Sequence, residues 1–412
     1  MKKIRVSNKM TPLFGLLLAC VLVMCVKMDA SAANTQPTEL KQTAAAATKV
    51  SISWKAPADS ANNFNRYIVQ CSKDNKVWVD KGYVGSDVTA ATLIGMERGT
   101  SWYVRIKAMY YDATLKKYTV DGAWSEAIEV ATIPYSVTGI TQTGATKTSV
   151  TFSWPEANGA NCYDVYVGTS YSNAKFVVRM TGRTLTVKGK KQGSAYYVKV
   201  VPVRMTAQKY SALGMESYGT VKTTPKSVTV SGESSWERGT KSIDFTWTSS
   251  NKLVDGYQVK IYNNKGKLVK SLNTKKTYYT YTKASSKYFY KIKVRPYITV
   301  DGKKKYGAWS KVGAALMQPQ ITGVTQEDEK AVISWTPVTG AAGYDIYAGA
   351  YPDVTSMTKI GEAGSKDTSF TTTAIGETKV ASNKRVYFCV KATKKIKSKK
   401  STSIASDPGF SN

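Results

Sequence analysis

After residue 37 the chain alternates apolar and polar positions in runs of 5 to 8 residues rich in Val, Ile, Thr and Tyr, bounded by Gly, Asn, Asp and Ser. A period of two in runs of that length predicts half-buried β-strands. One run is written four times: Val50-Ser51-Ile52-Ser53-Trp54, Val150-Thr151-Phe152-Ser153-Trp154, Ile243-Asp244-Phe245-Thr246-Trp247 and Val332-Ile333-Ser334-Trp335. From 9 to 13 residues after each Trp an aromatic-led strand begins, at Tyr67, Tyr163, Tyr257 and Tyr344. Trp-to-Trp spacings of 100, 93 and 88 residues are too long for solenoid repeats and suit whole domains. A Trp closing one alternating strand and facing a Tyr on the next fills the centre of a β-sandwich. The pattern therefore predicts an all-β chain of four sandwiches. Their cores hold Trp54 with Tyr67, Trp154 with Tyr163, Trp247 with Tyr257, and Trp335 with Tyr344.

Pro134, Pro225 and Pro319 each follow a last strand and precede a first one. They divide the chain into segments 34–134, 135–225, 226–319 and 320–412 after an N-terminal leader, 1–33. No Gly/Ser-rich linker separates the segments, and joints this short, stiffened by proline, predict a semi-rigid rod.

Segment 34–134 carries Leu93-Ile94-Gly95-Met96-Glu97-Arg98-Gly99-Thr100-Ser101-Trp102-Tyr103-Val104-Arg105-Ile106-Lys107-Ala108. With Trp54 and Tyr67 before it, this stretch resembles the fibronectin type III family, whose pattern runs Leu-x-Gly-Leu-x-x-Gly-Thr-x-Tyr-x-Val-x-Val-x-Ala. Met96 stands for the second Leu, and Trp102 for the family's corner tyrosine. That tyrosine is kept as Tyr196 and Tyr290 in the next two segments, whereas the fourth has Val386, which lacks a hydroxyl. The resemblance implies four tandem immunoglobulin-like sandwiches in a bacterial secreted or surface protein without cofactors. It implies a role in binding, adhesion or spacing.

The segments are not equivalent. The second and fourth share Val137-Thr138-Gly139-Ile140-Thr141-Gln142 with Ile321-Thr322-Gly323-Val324-Thr325-Gln326, and Tyr163-Asp164-Val165-Tyr166 with Tyr344-Asp345-Ile346-Tyr347. The first and third share Gly122-Ala123-Trp124-Ser125 with Gly307-Ala308-Trp309-Ser310. An A-B-A-B order follows from duplication of a two-domain unit. Trp124 lies beyond a basic strand with Arg105 and Lys107, and Trp309 beyond one with Lys293 and Arg295. Those cations are expected to stack on the indoles in a structural ladder.

The leader changes where these domains are expected to work. Lys2, Lys3, Arg5 and Lys9 precede an apolar run, Leu13 to Val26, and the small-residue exit Ala30-Ser31-Ala32-Ala33. This is the layout of a secretory signal peptide, cut after Ala32 or Ala33. The 14-residue run falls short of the roughly 20 residues that span a bilayer. Leu17-Leu18-Ala19-Cys20 resembles a lipoprotein cleavage box, although cutting there would leave Cys20 before the apolar Val21-Leu22-Val23-Met24. After removal of 1–33 the protein is expected to be secreted or held at the cell surface, with no membrane span. Cys71, Cys162 and Cys389 then remain, one per domain, so none pairs within its own sandwich and a monomer is expected. Cys71 falls on an inward position, Cys162 and Cys389 on outward or edge positions.

Charge adds the last constraint. The chain carries +31, and it is uneven: 11 basic and 3 acidic residues in 135–225, 19 and 5 in 226–319, but 12 and 10 in 34–134 and 12 and 9 in 320–412. A field of that sign attracts polyanions. Histidine is absent, which excludes Ser-His-Asp and Cys-His nucleophiles and imidazole zinc sites. No phosphate-binding glycine loop is present, and no catalysis is expected.

Candidate binding residues lie on the last hairpins. They are Lys116, Lys117 and Tyr118 in the first domain, and Lys303, Lys304, Lys305 and Tyr306 after the Asp301-Gly302 turn in the third. The run Lys394-Lys395-Ile396-Lys397-Ser398-Lys399-Lys400 holds the equivalent place in the fourth. Lysine beside tyrosine suits an anionic cell-wall polymer, a glycan or a protein ligand. Exposed hairpin lysines also serve simply to block edge-to-edge aggregation. An exported chain makes nucleic acid an improbable partner.

Overall fold

The structure is a computed structural model that describes residues 35–58, 64–119, 122–251, 253–327, 329–375, 378–379 and 385–411. The leader 1–33 lies outside the described residues. Among them there is no helix. Their strands form four sandwiches, each a three-stranded sheet facing a longer one built on the most apolar strand of the domain.

The first sandwich sets the plan. Thr38–Ala45, Val50–Lys55 and Ala90–Leu93 make its small sheet, with Val50–Lys55 in the middle. Val79–Gly85, Phe64–Ser72, Ser101–Asp112 and Lys117–Thr119 follow in order across the larger sheet, and Ile128–Ala131 also pairs with Ser101–Asp112. The same order recurs around Val150–Ser153 and Ala195–Met205 in the second sandwich, around Ile243–Thr248 and Tyr290–Val300 in the third, and around Lys330–Trp335 and Tyr387–Ile396 in the fourth. Strict alternation accounts for the burial: Ile243–Thr248 reads buried-exposed throughout its six residues. Its apolar side chains must leave water on one face only.

Each core closes on the repeated pair. Trp54, Trp154, Trp247 and Trp335 are at most 5% exposed, and Tyr67, Tyr163, Tyr257 and Tyr344 at most 4%. The ring centroids of the four pairs stand 5.2, 5.7, 5.7 and 5.2 Å apart, edge-on in the first three and tilted in the fourth. Edge-to-face contacts of this kind add about 0.5–1.5 kcal/mol to the area that the rings bury. Corner tyrosines act as their position implies: Tyr196 accepts the Lys191 N–H at 2.7 Å, and Tyr290 that of Ser285 at 2.9 Å. Trp102, in the same place, instead donates its indole N–H to Thr100 Oγ1 at 3.0 Å.

The joint between the third and fourth sandwiches is more than a short linker. Glu233–Ser234, which belongs to the third by sequence, pairs in parallel with Lys399–Ser403 of the fourth and widens that sheet. Thr402 N donates to Gly232 O at 2.8 Å, and Ala314 N to the buried Ser401 Oγ at 3.0 Å. Phe289, Ala314 and Leu316 pack in one core with Trp335 and Tyr344. The joint after Pro225 relies on side chains instead: Gln192 donates to Pro225 O at 2.9 Å, and Lys222 reaches Asp255 at 3.4 Å.

Candidate functional site: the outer sheet faces and their hairpins

In the first sandwich Tyr111 pairs with Tyr118 across the last hairpin, their centroids 5.2 Å apart. Asp112 accepts the N–H groups of Thr114 and Leu115, and Lys116 turns the chain at φ 47°. Lys116 and Lys117 are exposed. Tyr118 is engaged, because the Arg66 guanidinium lies 3.5 Å from its ring and 4.3 Å from that of Tyr83.

The third sandwich repeats the construction. Asp301 and Gly302 sit at φ 50° and 67°, as a two-residue hairpin of this twist requires, and Val300 pairs with Lys303. Lys303 and Lys304 are exposed, and Lys305 and Tyr306 half-buried. Tyr306 stands beside Tyr297 at 5.8 Å with the Arg295 guanidinium 3.8 Å from its ring. Lys116, Lys117, Lys303 and Lys304 are thus presented to solvent, while Tyr118 and Tyr306 anchor arginines.

Behind each hairpin runs the expected ladder. Arg105 is held between Trp78 and Trp124, at 4.1 and 4.2 Å, and donates to Gln70 Oε1 at 2.8 and 3.0 Å. Arg295 lies 4.5 Å from Trp309 and donates to Gln258 Oε1 at 2.8 Å, with Lys293 and Lys260 also over that indole. Burial presses the Arg105 guanidinium below its ordinary value. Trp78 and the two glutamines were not singled out in the sequence, where nothing but their register distinguishes them.

The second and fourth sandwiches use carboxylates. Asp164, 4% exposed, receives Arg179 at 2.6 and 2.7 Å. Asp345, also 4% exposed, receives Lys359 and Lys400, each at 2.8 Å. Burial alone would raise the Asp345 carboxyl, but the bonds from Lys359 and Lys400 outweigh it and hold it below its ordinary value. The fourth lysine run is therefore largely committed, contrary to its reading as a recognition loop. Lys400 serves Asp345, Lys399 donates to Val230 O at 2.7 Å, and Lys394 lies 4.9 Å from the Phe289 ring.

A second correction concerns the thiols. Cys162 and Cys389 do sit on outward-facing registers, yet they are 4% and 0% exposed. Long neighbours cover them: Arg179 stands close to Cys162, and Tyr347 is paired opposite Cys389. Cys71, Cys162 and Cys389 are free, and burial pushes the Cys71 and Cys389 thiols up to about 11.

One aromatic group went unread in the sequence. Phe176, Tyr166, Lys199 and Tyr218 stand in one row across four strands of the second sandwich. Tyr171 lies over Tyr197 and Tyr218 at 4.4 and 5.0 Å, and Lys199 pairs with Glu216 at 2.9 Å. Phe176, Tyr171 and Tyr218 remain 55%, 46% and 47% exposed. Their alternate spacing on neighbouring strands was the available signal. Pairing order, which brings them together, is not local information.

Among the described residues no group of three or more Cys, Asp and Glu could hold a metal ion. Glu39 and Glu126 line an open recess of about 240 Å³; both are exposed, and Glu39 faces Lys55 at 3.5 Å.

Strand order, paired Trp and Tyr cores, and corner tyrosines together define an all-β, immunoglobulin-like tandem array. Residues 35–126 match the Fibronectin type III domain family. Over 178 residues the chain is 28% identical to Chitinase A1 of Niallia circulans, a stretch covering 40% of this chain and 22% of that protein. Among solved structures, the FN1–FN3 domains of chicken CNTN1 align with 68% of this chain and 97% of theirs, at 16% identity and a TM-score of 0.30. A two-domain fibronectin type III segment of chicken tenascin aligns with 45% of this chain and 99% of its own, at 22% identity and a TM-score of 0.25.

Proposed function

We propose that the chain is a non-catalytic, extracellular binding array that holds an anionic cell-wall polymer through its basic middle domains, and that it is cut after Ala32 or Ala33 on export. The observation that carries this reading is the 19 basic against 5 acidic residues in 226–319, with Lys303 and Lys304 exposed on one hairpin. Surface potentials of one sign raise the local concentration of a polyanion and speed its capture. A general acid for glycoside hydrolysis needs a carboxyl raised by burial. Glu39 and Glu126 lie in solvent, and Asp164 and Asp345 are each tied to cations.

The test is retention of the full chain on beads carrying poly(glycerol phosphate) or neutral chitin. Binding to the phosphate polymer should fall steeply between 50 and 500 mM salt, as the Debye length shrinks from about 14 Å to about 4 Å. Release of reducing ends from chitin would overturn the non-catalytic part. A second reading has its own support: the exposed Tyr171, Phe176 and Tyr218 suit stacking against a sugar. Salt-indifferent retention on chitin, lost in Phe176→Ser, would favour it.

A further inference from the structure

Resting on the polyanion reading, we infer that the third sandwich contains a dedicated seat for one phosphate group of such a polymer, in the cleft between the loops 238–241 and 282–286. The cleft has a volume of about 770 Å³ and is lined by Arg238, Lys241 and Lys283 with hydroxyls from Thr240, Thr282, Ser285 and Ser286. Among the described residues no carboxylate lines it. Among the described residues none of the three cations forms an ion pair. Three unneutralised cations beside the hydroxyls of Thr282, Ser285 and Ser286 form a site whose preferred content is an oxyanion, whereas the Thr240 hydroxyl gives its proton to Glu237 O.

Its walls are fixed from behind. Trp236 is buried and packs against Tyr290 at 5.6 Å, and its indole N–H donates to Thr240 O at 3.2 Å. Gly239, at φ +83°, closes the turn in which Thr240 Oγ1 donates to Glu237 O at 2.9 Å. Ala284 N donates to Lys241 O at 2.9 Å and so ties one loop to the other. Tyr290 holds Ser285 through the corner bond. Arg238 is braced by Thr336 Oγ1 at 2.6 Å, while its Nε is buried without a partner.

The loop backbones and Arg238 are set before binding, so the ordering cost falls mainly on the exposed side chains of Lys241 and Lys283. A phosphodiester suits it better than a carboxylate. Phosphate oxygens point in several directions, and Lys241 and Lys283 come from different loops. The volume exceeds one phosphate and leaves room for the linking unit of the polymer on either side.

The experiment titrates the full chain with fluorescently labelled poly(glycerol phosphate), following anisotropy, and compares two charge-matched double variants. Lys241→Gln with Lys283→Gln removes two cations from the cleft. Lys265→Gln with Lys267→Gln removes two exposed cations from a turn of the same sandwich that lines no part of it. The cleft variant should weaken binding at least tenfold, and the control less than threefold, with both melting as the parent does. Equal loss in the two variants would overturn the seat while leaving the electrostatic reading intact. Failure of the parent chain itself to bind the polymer would defeat that reading, and the seat with it. Polygalacturonate in place of the phosphate polymer is expected to bind more weakly and to be less affected by the cleft variant. Equal sensitivity there would overturn the preference for phosphate.

Discussion

The outer face of the large sheet is built in two ways. In the first and third sandwiches a glutamine, an arginine and a tryptophan stand in line: Gln70, Arg105, Trp124 and Gln258, Arg295, Trp309. In the second and fourth an aspartate sits in the same sheet under one or two cations, Asp164 under Arg179 and Asp345 under Lys359 and Lys400. The odd faces hold their cations by ring quadrupoles and neutral acceptors, which leave the positive charge in place. The even faces neutralise theirs. Domains with one strand order can therefore contribute differently to the field around the chain. The chemistry of the faces follows the A-B-A-B order of the sequence.

The largest effect should be the one the two kinds share. Trp154→Ala and Trp247→Ala should each cost about 3–5 kcal/mol in denaturant melts. A markedly smaller loss in either would mean that the cores differ as well as the faces. Next comes the ion pair: Asp164→Ala leaves Arg179 without its main acceptor and should cost about 2 kcal/mol, against about 1 kcal/mol for Gln258→Ala. Equal costs would erase the energetic contrast between the faces. Trp309→Leu should lose about 0.5–2 kcal/mol, little changed by salt, since the ring is no ion.

pH separates the faces further. The Asp345 carboxyl is held below its ordinary value when folded, so the stability it contributes is present above about pH 3.9 and is lost as pH falls through the folded value. Asp345→Asn should flatten the acid limb of the melting-temperature profile, and an unchanged limb would refute that role. The smallest effect on stability belongs to the hairpin. Lys303→Ser with Lys304→Ser and Lys305→Ser should shift stability by no more than about 0.5 kcal/mol, yet slow capture of the phosphate polymer in stopped-flow measurements.

The last hairpins show where reading along the chain succeeds. Asp301-Gly302 between alternating runs specifies a two-residue turn from local conformational preference alone. By the same local logic Lys394 to Lys400 read as a free basic loop, yet that segment carries an added strand and supplies a ligand to Asp345. Nothing within a few residues of Lys400 announces either partner, since one lies 55 residues away and the other belongs to the preceding domain.

Sequence by itself determined the all-β class, the four Trp–Tyr cores, the corner bonds of Tyr196 and Tyr290, the alternation of two domain types and the uneven charge. Each depends on strand period or on residue type at a fixed offset, and burial follows from which face a side chain occupies. Tertiary structure decided which outward residues meet: Trp78 with Arg105, Phe176 with Tyr166, the covered Cys162 and Cys389, and three cations around one cleft. Those meetings depend on the order and register of strands far apart in the chain. A period of two says which way a side chain points, and strand pairing says what it finds there.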